Sequence, residues 1–385
     1  MKKSFADILD SLEGDSARKA ERKMPVWSDA SARRKAQGLE PLEIPTALSL
    51  EQCSSEETAR YKCRLLATLF PEGVGLLCDL TCGLGIDSLA FSSIARKVVS
   101  FERSGELAEA ARRNFSRLDA ANIEVRCAEV GAESDLPGCD VIFADPARRS
   151  GTGRKVFRLE DCSPDIRPML PMLLSKAPAV LLKLSPMADI SLLASELGTC
   201  LSQVHIVSLR SEVKELLCLL QRGHAGGYRI TAAEIAAGGE ESSLSFSPDE
   251  EREAVARFSP APAPGCLLLE PRAALMKSGA YKSLCSRFGI AKIAASTHLY
   301  VCGEASPEPF RGLFKVFRIA EVRPFCSREI KALGRLCPDA EVSARNLPLS
   351  SDDLRKKIGA TGGGRRHIFG CTAQGGRLLI VCQSL

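Results

Sequence analysis

Seven short apolar segments, separated by segments of helical character, dominate residues 76–221 and constrain the fold most. They are LLCDL (76–80), KVVSF (97–101), IEVRC (123–127), DVIFA (140–144), AVLLKL (179–184), QVHIVSL (203–209) and KELLCLLQ (214–221). Such continuous runs are typical of strands buried on both faces, with the helices serving as crossovers between parallel strands. The link between the last two runs is too short for a crossover, so these two strands form an antiparallel hairpin. The sequence therefore predicts an α/β fold with a seven-stranded, Rossmann-like sheet whose last strand is antiparallel.

The flanking regions differ in character from this alternating segment. Residues 1–72 predict helices joined by polar connectors, and in the clearest of them Ser54 and Glu57 have the spacing of a capping box. The Pro-rich segment FSPAPAPG (258–265) marks the end of the sheet domain. Mixed strand and helix patterns follow it. We therefore expect an N-terminal helical region at 1–72, the sheet domain at 73–258, a small α+β unit at 265–312, with a ferredoxin-like fold as one option, and another α+β unit at 313–385.

Acidic residues stand at or just beyond the ends of four successive predicted strands. They are Asp79, Glu102, Glu129 and Asp145. In an open parallel sheet, ligands bind in the crevice beyond the carboxyl ends of the strands. An acid at the end of the second strand is suited to accept hydrogen bonds from ribose hydroxyls. The four positions together predict a site for a nucleoside-type cofactor at this edge of the sheet.

The turn after the first strand narrows the choice of cofactor. Gly83 and Gly85 allow the backbone to approach a ligand closely. The dinucleotide fingerprint requires a third small residue, glycine or alanine, where this chain has Ser88. S-adenosylmethionine, unlike a dinucleotide, has no phosphate. Its amine and sulfonium are positively charged, so nearby carboxylates such as Asp79 favour its binding. A nicotinamide-dependent oxidoreductase is the competing interpretation, which the final hairpin also disfavours.

The segment DLTCGLGID (79–87) resembles the first motif of class I S-adenosylmethionine-dependent methyltransferases, in which an acid is closely followed by Gly-x-Gly. The resemblance implies the methyltransferase form of the predicted sheet, with S-adenosylmethionine as cofactor. It implies that Glu102 binds the ribose and that Glu129 lies beside the adenine. The implied cofactor-binding residues are Asp79, Thr81, Cys82, Gly83, Gly85, Asp87, Glu102, Glu129 and Asp145.

Longer segments are similar to a narrower bacterial group of these methyltransferases that carries a C-terminal THUMP-like domain. They are LSLEQCSSEETARYK, DPARRSGTGRKVFRLEDCSPD and LLKLSPMADI, and ARNLPLSSDDLRKKIGATGGGRRHIFG resembles the appended domain itself. The resemblance covers roughly residues 45–385. It implies a THUMP-like α+β domain at 313–385 and structured RNA, such as tRNA or rRNA, as the substrate.

The loop after the fourth strand, DPAR (145–148), faces the transferred methyl group in such a fold. Methyltransferases that act on amino groups of bases often have a second proline and an aromatic residue there, which Ala147 and Arg148 replace. We expect Asp145 to orient the nucleophile or to act as its base, beside Pro146. Lys183, at the end of an otherwise apolar strand, is a further catalytic candidate. The basic residues suited to contact substrate phosphates are Arg148, Arg149 and Arg154.

Positive charge is concentrated in two regions, although the formal net charge is only +5. Residues 18–35 hold seven Lys and Arg against two acids, and residues 311–385 hold fourteen against six. Such regions fit a polyanionic partner, so we expect RNA. Two alternatives stay open. In the first, the protein binds RNA and retains the methyltransferase fold without catalysis. In the second, it is a methyltransferase that acts on a protein or a small molecule.

The sixteen cysteines and four histidines lack the spacing of a zinc site, because no Cys-x-x-Cys occurs. In a reducing compartment, cysteines behave mostly as small buried hydrophobic residues. No apolar run approaches the roughly 18 residues of a membrane helix, and the N-terminus lacks the pattern of a signal peptide. We therefore expect a cytoplasmic protein without a metal site or a membrane span.

Overall fold

The computed structural model describes residues 43–45, 53–148, 158–259, 261–303 and 306–385. The chain divides into two compact units. Unit 1 contains residues up to 205 together with 214–228, and unit 2 contains residues 206–213 together with 229–385. The helices predicted before residue 43 lie outside the described residues.

Unit 1 alternates strands with helices. Its elements are α1 (Glu56–Leu69), β1 (Val74–Asp79), α2 (Ile86–Phe91), β2 (Ala95–Glu102), α3 (Gly105–Arg117), β3 (Ile123–Cys127), β4 (Val141–Ala144), β5 (Ala147–Arg148), β6 (Cys162–Ser163), α4 (Ile166–Lys176), β7 (Ala179–Leu184), α5 (Ile190–Leu197), β8 (Leu201–Leu209) and β9 (Glu212–Gln221). Residues 206–213, which include the end of β8 and the start of β9, belong to unit 2.

The main sheet of unit 1 has the strand order β8-β9-β7-β4-β1-β2-β3. Strand β1 pairs in parallel with β2 and β4, β2 pairs in parallel with β3, and β4 pairs in parallel with β7. Strand β9 is inserted between β8 and β7 and pairs antiparallel with β7. This is the predicted sheet with its antiparallel last strand, so the predicted fold is confirmed. The carboxyl ends of β1, β2, β3, β4 and β7 therefore lie along one edge.

The central apolar runs form strands because both of their faces are covered. Leu77 in β1, Ile142 in β4 and Leu181 in β7 are all completely buried. Helix α3 contributes Ala108 and Phe115 to a cluster that packs against the β1 loop and β3. Burial on both faces explains why the runs lack the alternation of a half-exposed strand.

Unit 2 is built mainly from strands. Its further elements are β10 (Arg229–Ile235), β11 (Glu241–Phe246), α6 (Pro248–Glu253), β12 (Leu267–Pro271), α7 (Ala273–Ser278), α8 (Ser283–Phe288), β13 (Ala291–Ala294), β14 (Thr297–Cys302), β15 (Phe314–Pro324), α9 (Ser327–Leu336), β16 (Glu341–Arg345), α10 (Ser351–Ile358), β17 (Arg366–Ala373) and β18 (Gly376–Ser384). Strands β10 and β11 form an antiparallel pair. Short one-turn helices occur in unit 1 at Leu159–Asp161 and Gly198–Cys200, and in unit 2 at Glu308–Phe310.

A seven-stranded sheet in the order β13-β14-β12-β15-β18-β17-β16 organises the C-terminal part of unit 2. Its strands pair antiparallel except for β16 and β17, which are parallel. Neighbouring residues of β17 enter different apolar clusters, Phe369 with Phe317 and Ile368 with Leu333 of α9 and Leu354 of α10. Because successive side chains point to opposite faces of a strand, this sheet has an apolar core on each side.

None of the helices in the described parts of the chain has both the length and the apolar character needed to cross a lipid bilayer.

Candidate active site

A cavity of about 680 Å³ opens at the carboxyl edge of the main sheet of unit 1. Its volume is within the range of small-molecule sites. The predicted catalytic residues Pro146 and Lys183 line it. So do the predicted cofactor residues Thr81, Cys82, Gly83, Gly85, Asp87, Glu102, Glu129 and Asp145. The parallel arrangement thus brings residues that are far apart in the sequence into one hollow.

The two glycines of the β1 loop serve different purposes. Both have positive φ angles, +54° at Gly83 and +81° at Gly85. A Cβ on Gly83 would meet nothing within 4 Å, so this residue leaves space at the cavity wall. A Cβ on Gly85 would overlap the ring of Phe115 in α3. Gly85 is therefore required by helix packing, and Gly83 is the position where the backbone is open to a ligand.

Glu102, the last residue of β2, connects the glycine loop to the start of α3. Its Oε2 accepts a hydrogen bond from the Gly83 N–H at 2.8 Å, and its Oε1 accepts one from the Ser104 N–H at 2.9 Å. The side chain is mostly buried but lines the cavity. A carboxylate has about four acceptor sites, so Glu102 retains capacity for two hydroxyl donors.

Asp79 lies beneath the loop and does not line the cavity. It accepts hydrogen bonds from the Thr81 N–H at 2.9 Å and from the Ser88 hydroxyl, which also contacts the Ser100 hydroxyl. The residue is 1% exposed, and burial raises its pKa to about 7. This geometry makes Asp79 a support for the loop and gives no direct route to a cofactor.

Asp145 and Lys183 form an ion pair at the ends of β4 and β7. The Lys183 Nζ donates to the Asp145 Oδ2 at 2.6 Å, and the Asp145 N–H donates to the Thr81 Oγ1 at 2.7 Å. Burial alone would lower the pKa of Lys183, but the carboxylates of Asp145, Asp87 and Glu215 hold it above its ordinary value. Lys183 is therefore an ammonium ion that orients Asp145, and it does not act as a base.

Lys62 in α1 is a second buried lysine near the cavity, and the sequence reasoning missed it. Its side chain is completely buried. Its Nζ donates to the two carboxylate oxygens of Glu215 in β9 at 2.8 and 2.9 Å and to the Ser54 hydroxyl at 3.2 Å. It also forms an ion pair of 3.2 Å with the Asp87 Oδ1. Lys62 lies at helical spacing between Ala59 and Leu66, which are both buried in α1. A charged residue at such a position was the sequence signal for a buried ionic group.

Ser54 takes a different role from the predicted one. The N-cap of α1 is Ser55, whose hydroxyl accepts from the Thr58 N–H, so the predicted capping box of Ser54 and Glu57 is wrong. Ser54 instead donates its hydroxyl hydrogen to the Asp87 Oδ2 at 2.7 Å. It also lines the cavity.

The far side of the cavity carries Arg103, which was not predicted, and Glu129. The Arg103 Nη1 lies 3.7 Å from the Glu129 Oε1 and donates to the Ser163 Oγ at 3.2 Å. Both charged side chains are more than half exposed, so their pairing is weak. Ser163 in turn pairs with Ala147 in the two-residue ladder of β5 and β6. Arg103 thus links the end of β2 to the loop that follows Asp145.

The predicted substrate-binding arginines are located only in part. Arg148 is the last residue of β5, where it pairs with Cys162 of β6. Arg149 and Arg154 lie outside the described residues. Among the residues that the structure describes, no group of three or more His, Cys, Asp or Glu side chains is arranged to hold a metal ion.

Two family models match the chain in unit 2, a ferredoxin-like domain at residues 268–308 and a THUMP domain-like region at residues 314–384. No curated protein matches the chain. Among solved structures, a proposed methyltransferase from Porphyromonas gingivalis W83 is 29% identical, with a TM-score of 0.81 and coverage of 100% of both chains.

Weaker structural similarities cover less than half of this chain. An rRNA methylase from Streptococcus thermophilus has a TM-score of 0.31 and 11% identity over 42% of this chain and 96% of its own. A proposed RNA methyltransferase from Pyrococcus horikoshii has a TM-score of 0.35 and 16% identity over 49% of this chain and 95% of its own. These scores are too low to bear on function. The whole-length similarity and the C-terminal match together show that this chain has the fold of a proposed methyltransferase with a THUMP domain-like region at its C-terminus, as its sequence predicted.

Proposed function

We propose that this protein is an S-adenosylmethionine-dependent methyltransferase that acts on structured RNA, such as tRNA or rRNA. The observation that carries the proposal is the shared cavity. It places the open glycine loop, the Glu102 carboxylate and the Asp145–Lys183 pair in one hollow at the carboxyl edge of the sheet. A similar sheet alone would leave the cofactor class open, because fold does not determine function.

The residues present fit S-adenosylmethionine. The free acceptor capacity of Glu102 suits ribose hydroxyls, and the absent side chain of Gly83 leaves room for the ligand beside it. Asp87 and Asp145 offer carboxylates that suit the positive charges of the amino-acid portion and the sulfonium. When bound, this cofactor supplies an electrophilic methyl group on a positively charged sulfur.

Asp145 is the residue best placed to hold the nucleophile. Lys183 donates to its Oδ2 and fixes the orientation of its carboxylate, so we expect Asp145 to act as a hydrogen-bond acceptor for an N–H or O–H of the substrate. Displacement at a methyl group requires a nucleophile held in line and water excluded, and needs little further chemistry from the protein. Ala147 offers no ring for base stacking, so the substrate base is held by other residues.

RNA as the substrate is supported by unit 2. The THUMP domain-like region spans residues 314–384, and residues 311–385 carry a surplus of basic over acidic side chains. Exposed basic residues there include Lys356 and Lys357 in the last turn of α10 and Arg365 and Arg366 at the start of β17. Such side chains provide the phosphate contacts that dominate the affinity for nucleic acids.

Calorimetry tests the cofactor. We expect S-adenosylhomocysteine to bind to the wild type and NAD not to bind. Replacement of Lys183 by methionine leaves Asp145 without its partner, and methyl transfer then falls by about a hundredfold or more. The cofactor assignment is wrong when neither S-adenosylmethionine nor S-adenosylhomocysteine raises the melting temperature.

Mass spectrometry tests the substrate. Nucleosides from tRNA and rRNA of cells with and without the gene are compared, and one methylated nucleoside disappears when the gene is deleted. The purified protein with S-adenosylmethionine restores it in RNA from the deletion strain, and the Lys183→Met variant does not. If the nucleosides are unchanged and the protein methylates another protein or a small molecule, RNA is not the substrate.

A further inference from the structure

The Lys62 cluster is a buried ionic group that the proposed chemistry does not use. Lys62 is completely buried and the side chain of Glu215 is 2% exposed. Desolvation of such ions costs several kcal/mol per ion unless hydrogen bonds and opposite charges compensate for it. Here Lys62 has Glu215, Ser54 and Asp87 as partners. The cluster joins α1 and the residue Ser54 before it, the first turn of α2 and β9, which are three separate parts of unit 1.

One member of the cluster reaches the cavity with a fixed orientation. Asp87 lines the cavity, while its Oδ1 lies 3.2 Å from the Lys62 Nζ and its Oδ2 accepts from the Ser54 hydroxyl at 2.7 Å. Burial acts to raise the pKa of Asp87, but the charges of Lys62 and Lys183 outweigh it and lower the pKa. Asp87 is therefore an anion whose two oxygens are each held by a named partner.

The position of Asp87 indicates which end of the ligand it faces. The sheet order places β2 and β3, with Glu102 and Glu129 at their ends, on one side of β1. It places β4 and β7, with Asp145 and Lys183, on the other side. Lys62 contacts both Asp87 and Glu215 of β9, and β9 lies next to β7, so Asp87 is on the second side, away from the acids suited to adenosine.

We propose that Lys62 is a positioning residue, which together with Glu215 and Ser54 fixes the Asp87 carboxylate so that it binds the ammonium group of the amino-acid portion of S-adenosylmethionine. The inference rests on the proposed function and deepens it. It makes α1 part of the cofactor site, although α1 precedes the sheet in the chain.

The decisive variant removes both buried charges at once. Loss of Lys62 alone leaves the buried Glu215 carboxylate without its ammonium partner, and loss of Glu215 alone removes one of the two carboxylates that hold Lys62, so each single change destabilises the fold. The double variant Lys62→Met/Glu215→Met keeps the volume and removes both charges, so its melting temperature stays near that of the wild type. Binding is measured by calorimetry with S-adenosylhomocysteine and with 5′-deoxy-5′-methylthioadenosine, which lacks the amino-acid portion. We expect the affinity for the former to fall about tenfold or more, with no change for the latter.

Lys292 provides a matched control, since it is a buried lysine in β13 of unit 2 that donates to the Ala295 carbonyl at 2.8 Å. Its replacement by methionine leaves both affinities unchanged. Equal losses for both ligands in the double variant would indicate a distorted cavity and would overturn the positioning role, and two unchanged affinities would do the same.

Ser54→Ala keeps the test decisive when the double variant does not fold. It removes one hydrogen bond to Asp87 and leaves the Lys62–Glu215 pair intact, and we expect the same selective loss for S-adenosylhomocysteine. An unchanged affinity in Ser54→Ala contradicts the inference. A wild type that binds methylthioadenosine and S-adenosylhomocysteine equally well overturns the inference alone, whereas a wild type that binds neither overturns the proposed function.

Discussion

The buried carboxyl group of Asp79 makes a strong prediction about stability and pH. In the Asp79→Asn variant, the amide keeps an oxygen for the Thr81 N–H and offers an N–H to the Ser88 hydroxyl. It thereby reproduces the hydrogen bonds of the protonated acid without the charge. We expect this variant to be more stable than the wild type at neutral and alkaline pH.

The size of the effect follows from the pKa shift. Burial raises the pKa of Asp79 from 3.8 to about 7, so the folded state binds the proton more tightly than the unfolded state. The resulting stability is complete below pH 3.8 and is lost as the pH rises through 7. About three pKa units correspond to about 4 kcal/mol, of which about 2 kcal/mol is lost between pH 5.5 and 8.

Hydrogen exchange followed by mass spectrometry measures the difference in stability between variant and wild type in unit 1 alone. A local measurement is needed because a chain with two units does not unfold in one transition. Peptides from β1 and β2 are compared between variant and wild type at the same pH, so that the intrinsic pH dependence of exchange cancels. The stability advantage of Asp79→Asn grows by about 2 kcal/mol from pH 5.5 to 8.

Glu124 in β3 supplies the control. Lys97 and Arg126 lower its pKa to about 2, so its titration lies below this pH range in both states. The difference between Glu124→Gln and the wild type is therefore constant from pH 5.5 to 8. A constant difference for Asp79→Asn as well would refute the assignment of a strongly raised pKa to Asp79.

Three further substitutions test the site and its surroundings. Gly85→Ala places a methyl group against Phe115 at a positive φ angle, and we expect the free energy of unfolding of unit 1, measured by hydrogen exchange of its peptides, to fall by about 1–3 kcal/mol. Glu102→Gln cannot accept from both backbone N–H groups, so calorimetry should show about tenfold weaker binding of S-adenosylhomocysteine with little change in melting temperature. Asn114→Ala removes the side chain that accepts from the Glu43 N–H at 2.8 Å and donates to the Glu43 carbonyl at 2.9 Å. Hydrogen exchange at that amide should then become about tenfold faster, and unchanged exchange would contradict this anchoring role.

The main sheet was predictable because its signal is local. The apolar runs of β4 and β7 are buried on both faces, and the short link after QVHIVSL allows only an antiparallel neighbour for the last strand. The gathering of Glu102, Glu129 and Asp145 follows from the same topology, since parallel strands end at one edge. The division of the C-terminal part into two α+β domains stays a prediction, and the strands concerned form one sheet.

The Lys62 cluster was not predictable, because its partners are distant in the sequence. Glu215 is separated from Lys62 by 153 positions, and nothing local indicates that β9 passes beside α1. Ser54 and Ser55 are both suitable N-cap residues by type, and the tertiary partner Asp87 accounts for the role of Ser54. The reason for Gly85 is likewise a distant ring, that of Phe115.

The two-residue ladder of β5 and β6 has an evolutionary consequence. The chain leaves the edge of the sheet after Asp145 and Pro146, and Ala147 is then paired with Ser163. Both ends of the intervening segment are thus joined by backbone hydrogen bonds that do not depend on its side chains. Insertions, deletions or exchanged stretches between these ends leave the ladder itself intact. The cavity residues Asp145 and Pro146 precede the ladder, so a change of sequence between its two strands leaves these residues themselves in place.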